Sequence, residues 1–311
     1  MAGLEIESQI NIEKKMQLDI VIVNYNSDHH LVNCLTALNI NNRVANGCQI
    51  IVYDNGSSDR SLQRARSSFP DVSYIGNHTN LGFAAAVNRV AQTLKSKYLL
   101  LLNPDVIIFP NTVDLMLKFM EQHPKCGILG GEILSPLGFR QHTCRKFPHY
   151  FNVPFGRRSL ARRVFPNNTL SNKYLYLNLD SDYPQKVDFV EGSLMMIRRL
   201  AAGQVGFFDE EFFLYLEDAD LCYRIKQKGW ETWWLPESYA IHYRGENFRA
   251  DNVHPAMHHS RGFYRFFSKH YKPPAPLKWF LKICLALRLV YVISTECIKK
   301  VFHDTNFSPR C

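Results

Sequence analysis

The chain has 311 residues, of which 46% are apolar, 21% charged and 13% aromatic, and it carries a formal net charge of +9. A chain of this length and ordinary composition buries its own core, as one large domain or as one domain with an appendage. The charge indicates an anionic partner. Because the sequence contains no helix-turn-helix, zinc-finger or RNP signature, we expect phosphorylated small molecules or anionic lipid and no nucleic acid.

The eight cysteines form no Cys-x-x-Cys pair and show no zinc-like spacing. Scattered cysteines are typical of reduced thiols, so we predict a cytoplasmic protein. Residues 1–16 have mixed charge and no apolar stretch of the kind that a signal peptide needs. We interpret them as a leader that precedes the folded domain.

Strands and helices alternate in the first part of the chain. Apolar and β-branched runs predict strands at residues 18–24, 49–53, 72–76 and 98–102. Helical spacing predicts helices between them, at residues 30–38, up to about residue 68, and at 82–94. This alternation predicts an α/β fold with a mostly parallel central sheet flanked by helices.

Polar clusters follow three of these strands, at residues 24–26, 54–59 and 103–105. Ligands of open parallel sheets bind beyond the carboxyl ends of the strands, so we expect the clusters to meet at one edge. Asp54 can accept hydrogen bonds from a ribose or a base, or it can close an Asx turn on its own backbone. Asp105 suits a divalent metal on a diphosphate, although Asn-Pro-Asp is also turn chemistry.

The second part of the chain is more strand-like and irregular. We expect a long strand or a strand pair at residues 186–198 and a long polar loop at 139–182. Residues 273–276 predict a linker, and 277–303 predict an apolar helix. Charged residues interrupt that helix, so its uncharged stretches are too short to span a membrane.

Two alternatives remain open for the C-terminal helix. Its apolar residues Trp279, Phe280, Ile283, Leu287 and Val290 can lie in a membrane interface. The same amphipathic pattern is also typical of a helix that packs on the protein's own core. The membrane alternative gains support from a basic cluster in the long loop, formed by Arg157, Arg158, Arg162 and Arg163.

Three carboxylates occur within four positions in the segment FFLYLEDADLCYR, residues 212–224. Glu217, Asp218 and Asp220 open a predicted helix that ends before Gly229. Acidic residues in a first helical turn are stabilised by the helix dipole, and Asp220 can pair with Arg224. Taken alone, the pattern therefore fits helix capping as well as it fits catalysis.

Five motifs occur in order along the chain, and their residues are VIVNYN (21–26), YDNGSSD (53–59), NLGFAAAVN (80–88), LLLNPDV (100–106) and LYLEDADLCYR (214–224). With them the chain resembles, over about residues 17–270, the inverting glycosyltransferases of family 2, which have the GT-A fold. It is most similar to the rhamnosyltransferase-type members that build bacterial surface polysaccharides. Asn103 stands where the wider family has an aspartate in its metal motif.

The resemblance implies roles for the matched residues. A nucleoside-diphosphate sugar, with dTDP-rhamnose favoured, is bound by one set of residues: Asn24, Asn26, Asp54, Asn55, Gly82, Phe83, Asn88, Asn103 and Asp105. Asp59 braces the turn after the second strand. Asp105 binds Mg²⁺ or Mn²⁺ on the diphosphate, and His242 completes the metal site.

The resemblance also assigns the acceptor side of the site. Asp218 is the catalytic base, and like-charge repulsion from Glu217 raises its proton affinity. Glu217 and Gly192 contact the acceptor, which is a hydroxyl of a glycan or of a lipid-diphosphate saccharide. The domain covers residues 17–272, with a nucleotide-sugar half at 17–126 and an acceptor half at 127–272.

Two other functions remain alternatives at this point. A sugar-phosphate nucleotidyltransferase needs a glycine-rich loop after its first strand, and residues 24–30 contain no glycine. A non-catalytic scaffold that binds glycan or membrane is the second alternative, which intact Asp54, Asp105 and Asp218 make less favoured.

Overall fold

A computed structural model describes residues 17–40, 48–150, 169–177, 179–180, 182–243 and 253–305, with the backbone alone at 40, 170–171 and 296–305. The predicted leader at 1–16 and the basic cluster at 157–163 lie outside the described residues. None of the described helices is long and apolar enough to cross a membrane.

The elements follow one another in the order that the sequence predicts for the first part of the chain. The strands are β1 (Leu18–Asn24), β2 (Cys48–Asn55), β3 (Ser73–Asn77), β4 (Tyr98–Leu102), β5 (Val106–Ile108), β6 (Cys126–Leu134), β7 (Cys144–Arg145), β8 (Gln185–Lys186), β9 (Phe189–Val190), β10 (Leu194–Arg198) and β11 (Glu231–His242). The helices are α1 (His30–Ile40), α2 (Ser61–Ser68), α3 (Phe83–Ala91), α4 (Thr112–Gln122), α5 (Thr169–Tyr174), α6 (Arg199–Gly203), α7 (Glu217–Gln227), α8 (Val253–His270) and α9 (Ala275–Thr305).

One large sheet organises the described residues. Its strand order is β3-β2-β1-β4-β10-β6-β11-β5, with β8 paired to β11, while β7 and β9 form a separate two-stranded sheet. Strands β1 to β4 pair in parallel, as do β6 and β11. Strand β10 is antiparallel to both β4 and β6, so the sheet is mixed and its parallel strands all end at one edge.

Alternate residues of the central strands enter two different cores. On one face, Val21 and Leu101 pack with apolar residues of α3, α7, α8 and α9. On the other face, Ile22 and Leu100 pack with residues of α1, α2 and α4. This alternation follows from the period of two in a strand, and it gives three layers with helices on both faces. The predicted α/β class is confirmed.

Several local predictions need correction. The segment 186–198 is three short strands, β8 to β10, because Gly192 and its neighbours turn the chain. Helices α4 and α8 were not predicted, and α5 and β7 lie in the predicted loop 139–182. Helix α9 begins at Ala275, inside the predicted linker. A proline fits there, since the first turn of a helix needs no backbone N–H donor.

The chain enters α7 through a turn in the left-handed backbone conformation. Tyr215 and Leu216 have φ angles of +70° and +69°, and this conformation costs a residue with a side chain about 1–2 kcal/mol. Two glycines pack against the segment. A Cβ on Gly262 of α8 would lie 2.7 Å from the Tyr215 carbonyl oxygen, and a Cβ on Gly82 would overlap the carbonyl oxygen of Phe213.

We therefore expect Gly262→Ala to destabilise the fold by about 1–3 kcal/mol, since the added methyl group overpacks the turn. Chemical denaturation measures this as a loss in the free energy of unfolding. Gly203→Ala is the matched control, because no heavy atom lies within 4 Å of its added Cβ. Equal unfolding free energies for the two variants would contradict the close contact.

Candidate active site

The carboxyl ends of β1 and β2 are joined by a buried hydrogen bond. Asn24 Nδ2 donates to Asp54 Oδ1 at 2.7 Å, and also lies within hydrogen-bonding distance of Ser57 Oγ and Ser61 Oγ. Asp54 Oδ2 accepts from the Ser57 N–H at 3.1 Å. Both side chains are almost fully buried. The strand pairing places Asn24 directly beside Asp54, so the predicted convergence of these clusters is confirmed.

The turn after β2 is held by Asn26 and Asp59. Asn26 Oδ1 accepts from the Ser58 N–H at 2.7 Å, and the Asn26 N–H donates to Ser57 Oγ at 3.0 Å. Asp59 Oδ2 accepts from the Asp28 N–H at 2.7 Å, and its Oδ1 accepts from Ser61. The prediction that Asp59 braces the turn is confirmed. Asn26 has the same kind of contacts.

Asn55 connects the end of β2 to the loop before α3. Its Nδ2 donates to Asn80 Oδ1 at 2.9 Å and to the Gly82 carbonyl oxygen at 3.2 Å, and its Oδ1 accepts from the Leu81 N–H at 2.9 Å. The loop continues to Phe83, whose N–H donates to the Phe213 carbonyl oxygen at 2.9 Å. Asn55 thus links the predicted nucleotide loop to the segment that carries Asp218.

The structure gives Asn88 contacts on another segment. Its Nδ2 donates to the Phe208 carbonyl oxygen at 2.9 Å and to Glu210 Oε1 at 3.0 Å, while its Oδ1 accepts from the Phe208 N–H. These bonds tie α3 to residues 208–210. Both N–H donors of this amide are used, and the side chain is buried, so the geometry favours a positioning role over donation of a hydrogen bond to a nucleotide-sugar.

The predicted metal pair comes together between β4 and β11. His242 Nε2 lies 3.2 Å from Asp105 Oδ1, and both side chains are largely buried. Strand register produces this proximity, because His242 at the end of β11 pairs with Val106, the residue after Asp105. Asn103, two residues before Asp105, donates its N–H to the Ser193 carbonyl oxygen at 3.0 Å.

The charge of Asp105 is maintained by its neighbours. Burial raises the pKa of the carboxyl group. The hydrogen bond and charge of His242, together with the charge of His30, lower it by more than burial raises it, so the net pKa lies below its usual value. One carboxylate and one imidazole form a donor set that Mg²⁺ or Mn²⁺ accepts when a diphosphate and water supply the other ligands. No group of three or more ligating side chains occurs among the described residues, so a diphosphate would have to contribute.

The acidic pair lies at the first turn of α7. Asp218 Oδ2 accepts from the Gly192 N–H at 3.3 Å, and its Oδ1 accepts from the Ala219 N–H at 2.7 Å. Glu217 is buried, and its Oε2 has no hydrogen-bond partner in the described part of the chain; the same holds for Ser193 Oγ. Gly192 therefore contacts the predicted base directly. The two unpaired oxygens belong to the residues next to Asp218 and Gly192, where a bound ligand could supply their hydrogen-bond partners.

Both carboxyl groups hold a proton more tightly than usual. Burial and the Glu191 carboxylate raise the pKa of Asp218 to about 7, against hydrogen bonds from Ala219 and Gly192 and the charge of Arg145. Burial and the charge of Asp218 raise the pKa of Glu217 well above its ordinary value. The sequence-based prediction named Glu217 as the neighbour that raises the proton affinity of Asp218. Burial and Glu191 are the larger causes for Asp218.

The third carboxylate has a structural role. Asp220 is fully buried and accepts from Arg224 Nε at 2.6 Å, as the i,i+4 spacing predicts. Lys269 Nζ and His270 Nε2 of α8 each lie 2.7 Å from its other oxygen. Because three cationic or hydrogen-bonding groups surround it, Asp220 joins α7 to α8 and is not available as a base.

Sequence reasoning missed the groups that surround the acidic pair. Arg145 forms an ion pair with Glu191, and both side chains are largely buried. Tyr174, from α5, is buried within range of the same charges, and burial raises its pKa to about 12. Arg145 lies in the irregular loop region, where no motif singles it out. Sequence reasoning also missed His30, at the start of α1, whose charge lowers the pKa of Asp105. Its position directly after the first polar cluster is a signal that could have identified it.

Curated relatives match most of the chain. It is 31% identical over 286 residues to the N-acetylglucosaminyl-diphospho-decaprenol L-rhamnosyltransferase of Mycobacterium tuberculosis, covering 87% of this chain and 91% of that protein. It is 24% identical over 262 residues to the rhamnosyltransferase WbbL of Escherichia coli K12, covering 80% of this chain and 92% of the relative.

A solved structure and a family profile extend these matches. GalNAc-T7, crystallised with UDP, GalNAc and Mn²⁺, superposes with a TM-score of 0.60 at 15% identity over 91% of this chain and 58% of that one. At this identity the likeness concerns the fold alone, and the predicted GT-A fold is confirmed. The profile described as Glycosyl transferase family 2 matches residues 19–204. The chain belongs to glycosyl transferase family 2, and it is a glycosyltransferase.

Proposed function

We propose that the protein transfers a sugar, with inversion, from a nucleoside-diphosphate donor to a hydroxyl of a lipid-diphosphate-linked saccharide in cell-surface polysaccharide synthesis. The observation that carries the proposal is the position of Asp218. It lies in the first turn of α7, beside Gly192, and its pKa is about 7. A base with this pKa is suited to remove a proton from an alcohol at neutral pH.

The donor side of the proposal rests on the edge formed by β1, β2 and β4. Asp54, fixed by Asn24, presents a buried carboxylate where a ribose or base would lie. Asn26, Asn55 and Gly82 shape the surrounding turns. The donor sugar is rhamnose on the strength of the names of the two curated relatives, both of which are rhamnosyltransferases, and dTDP is the nucleotide that the resemblance favours.

The reaction forms one bond and breaks another at the anomeric carbon of the donor. Asp218 accepts the proton of the acceptor hydroxyl while its oxygen attacks that carbon, and the bond to the diphosphate breaks on the opposite face. Negative charge develops on the departing diphosphate. Glu217, held protonated by its raised pKa, can donate a hydrogen bond to the acceptor.

Asp105 and His242 would hold a divalent metal ion, Mg²⁺ or Mn²⁺, which when bound would neutralise charge on the diphosphate. Their separation of 3.2 Å and their burial support this assignment. Asn103, at the end of β4 and two residues before Asp105, would contact the sugar or the diphosphate.

The acceptor and the location follow from chemistry and from one relative. The mycobacterial relative is named for an acceptor on a decaprenyl diphosphate, which is a lipid carrier. The scattered cysteines, with no Cys-x-x-Cys pair, suit a reducing compartment. We therefore assign the reaction to the cytoplasmic face of a membrane.

Labelled dTDP-rhamnose, incubated with Mn²⁺ and a lipid-diphosphate saccharide, tests this function directly. The wild type should transfer label, and Asp218→Asn should lose about 10²–10⁴-fold in turnover because it cannot accept the proton. Nucleotide affinity, measured by calorimetry, should be nearly unchanged, since the base acts on the acceptor. Near wild-type turnover would remove Asp218 from the mechanism and leave Glu217 as the base.

Two further variants should move the pH dependence of transfer in opposite directions. The rate should rise with pH through about 7, as Asp218 loses its proton. Glu191→Gln removes a charge that raises this pKa, so the acidic limb should move to lower pH. Arg145→Gln removes a charge that lowers it, so the limb should move to higher pH. Shifts of the same sign would contradict the role given to this ion pair.

Metal dependence can be tested apart from turnover. Mn²⁺ should strengthen binding of the nucleoside diphosphate to the wild type, and Asp105→Asn should abolish that dependence while weakening the affinity about tenfold or more. Titration with and without EDTA measures both. Asp71→Asn, at an exposed carboxylate, is the matched control. Equal wild-type affinity in EDTA and in Mn²⁺ would rule out the metal site.

A further inference from the structure

Helix α9 has two apolar faces, and only one of them is covered. Leu281, Leu285 and Val292 are at most 7% exposed, and the first two belong to the core cluster that includes α7 and α8. On the other side five large side chains are at least half exposed: Trp279 at 65%, Phe280 at 50%, Ile283 at 56%, Leu287 at 65% and Val290 at 60%. The covered face confirms the alternative in which the helix packs on the protein's own core, and the exposed face keeps the membrane-interface alternative as a prediction.

The two faces are separated by the geometry of the helix. At about 100° per residue, Trp279, Ile283, Leu287 and Val290 fall within a sector about 80° wide, and Phe280 lies at its border. The buried residues cluster on the opposite side. A continuous apolar stripe of this kind is larger than the scattered exposed residues that a globular surface normally carries.

The charges along α9 point to the nature of the partner. Residues 275–295 contain three basic residues and no aspartate or glutamate; Lys278 and Lys282 are exposed, whereas Arg288 is half-buried and contacts α8. Lys282 Nζ lies 5.0 Å from the ring centroid of Trp279, so a cation borders the apolar stripe. Basic residues flanking aromatic and aliphatic side chains favour an anionic lipid surface, because the stems bury while the charged ends stay in water. The net charge of +9 acts in the same direction.

The covered face connects α9 to the candidate active site. Arg288 Nη1 lies 2.9 Å from His259 Nδ1 of α8, and the His259 ring lies 5.6 Å from the Tyr215 ring. Gly262 of α8 packs on Tyr215 itself, three residues before Asp218. A membrane bound to α9 is thus one helix away from the segment that carries the base.

We propose that the exposed face of α9, formed by Trp279, Phe280, Ile283, Leu287 and Val290, docks the protein on an anionic lipid bilayer and holds the active site at its surface. This docking proposal rests on the proposed function, because a lipid-diphosphate acceptor would be presented at such a surface. It commits to a bilayer lying against the helix. A second copy of this chain is the competing occupant.

The test uses the full chain and vesicles of equimolar phosphatidylcholine and phosphatidylglycerol. The triple variant Trp279→Gln, Ile283→Gln, Leu287→Gln should bind them at least about tenfold more weakly in a sedimentation assay, because it removes three apolar anchors. Binding of the wild type should fall at high salt and on pure phosphatidylcholine. Leu200→Gln is the matched control: this residue of α6 is 66% exposed and lies outside the exposed face of α9.

Folding and function are followed in the same variants. The melting temperature of the triple variant should match that of the wild type, since its side chains point away from the core. Its transfer to an acceptor with a short, water-soluble lipid should also be unchanged, while transfer to vesicle-bound acceptor falls. Absence of transfer to either acceptor by the wild type would overturn the proposed function and leave the docking result to be judged by sedimentation alone.

Two outcomes would overturn the docking proposal. One is vesicle binding by the triple variant equal to that of the wild type. The other is a wild-type dimer in light scattering that the triple variant converts to a monomer, with neither protein binding vesicles. The second result would assign the exposed face of α9 to a contact between copies of the chain.

Discussion

The close packing of two glycines against residues 213–216 is the contact on which the site depends. Gly82 brings the predicted nucleotide loop against Phe213, and Gly262 brings α8 against Tyr215. Between them the backbone keeps its left-handed conformation and directs Asp218 toward Gly192. Because the predicted nucleotide loop, Asp218 and the C-terminal helices meet at this segment, each helps to fix the position of the others, and the strain of the turn is offset by their packing.

The acidic pair is a source of instability that the rest of the fold offsets. Glu217 and Asp218 have raised pKa values, so the native state binds protons that the unfolded chain would release. The contribution of Asp218 to stability is fully present below the unfolded carboxyl pKa, near 4, and is lost as the pH rises through about 7. The protein is therefore least helped by these groups at the pH where the base is ionised, which is an expected conflict between stability and activity.

Sequence patterns predicted which polar residues meet at the carboxyl edge of the sheet, and the physical reason is local. Asn24, Asp54 and Asn103 each lie at or just after the carboxyl end of a mostly apolar strand, and parallel strands bring such ends together whatever the side chains between them. The acceptor side depends on contacts between distant segments. The pairing of Arg145 with Glu191 and the approach of Gly262 to Tyr215 have no local signal, because they arise from the packing of elements far apart in the chain. Helix α8 was missed for the same reason: its aromatic and histidine residues face several neighbours at once.

The proximity of Asp105 to His242 is a property of the backbone ladder. Strand β11 changes its register against β6 between Leu235 and Tyr239, where Pro236 to Ser238 leave the ladder, and it then pairs with β5 up to His242. Deleting one of the looped residues would rotate the end of the strand by one position and turn the imidazole to the other face of the sheet. Natural variation in chain length within this bulge should thus be more restricted than variation in side-chain identity. The number of residues in the bulge determines whether the imidazole of His242 faces Asp105.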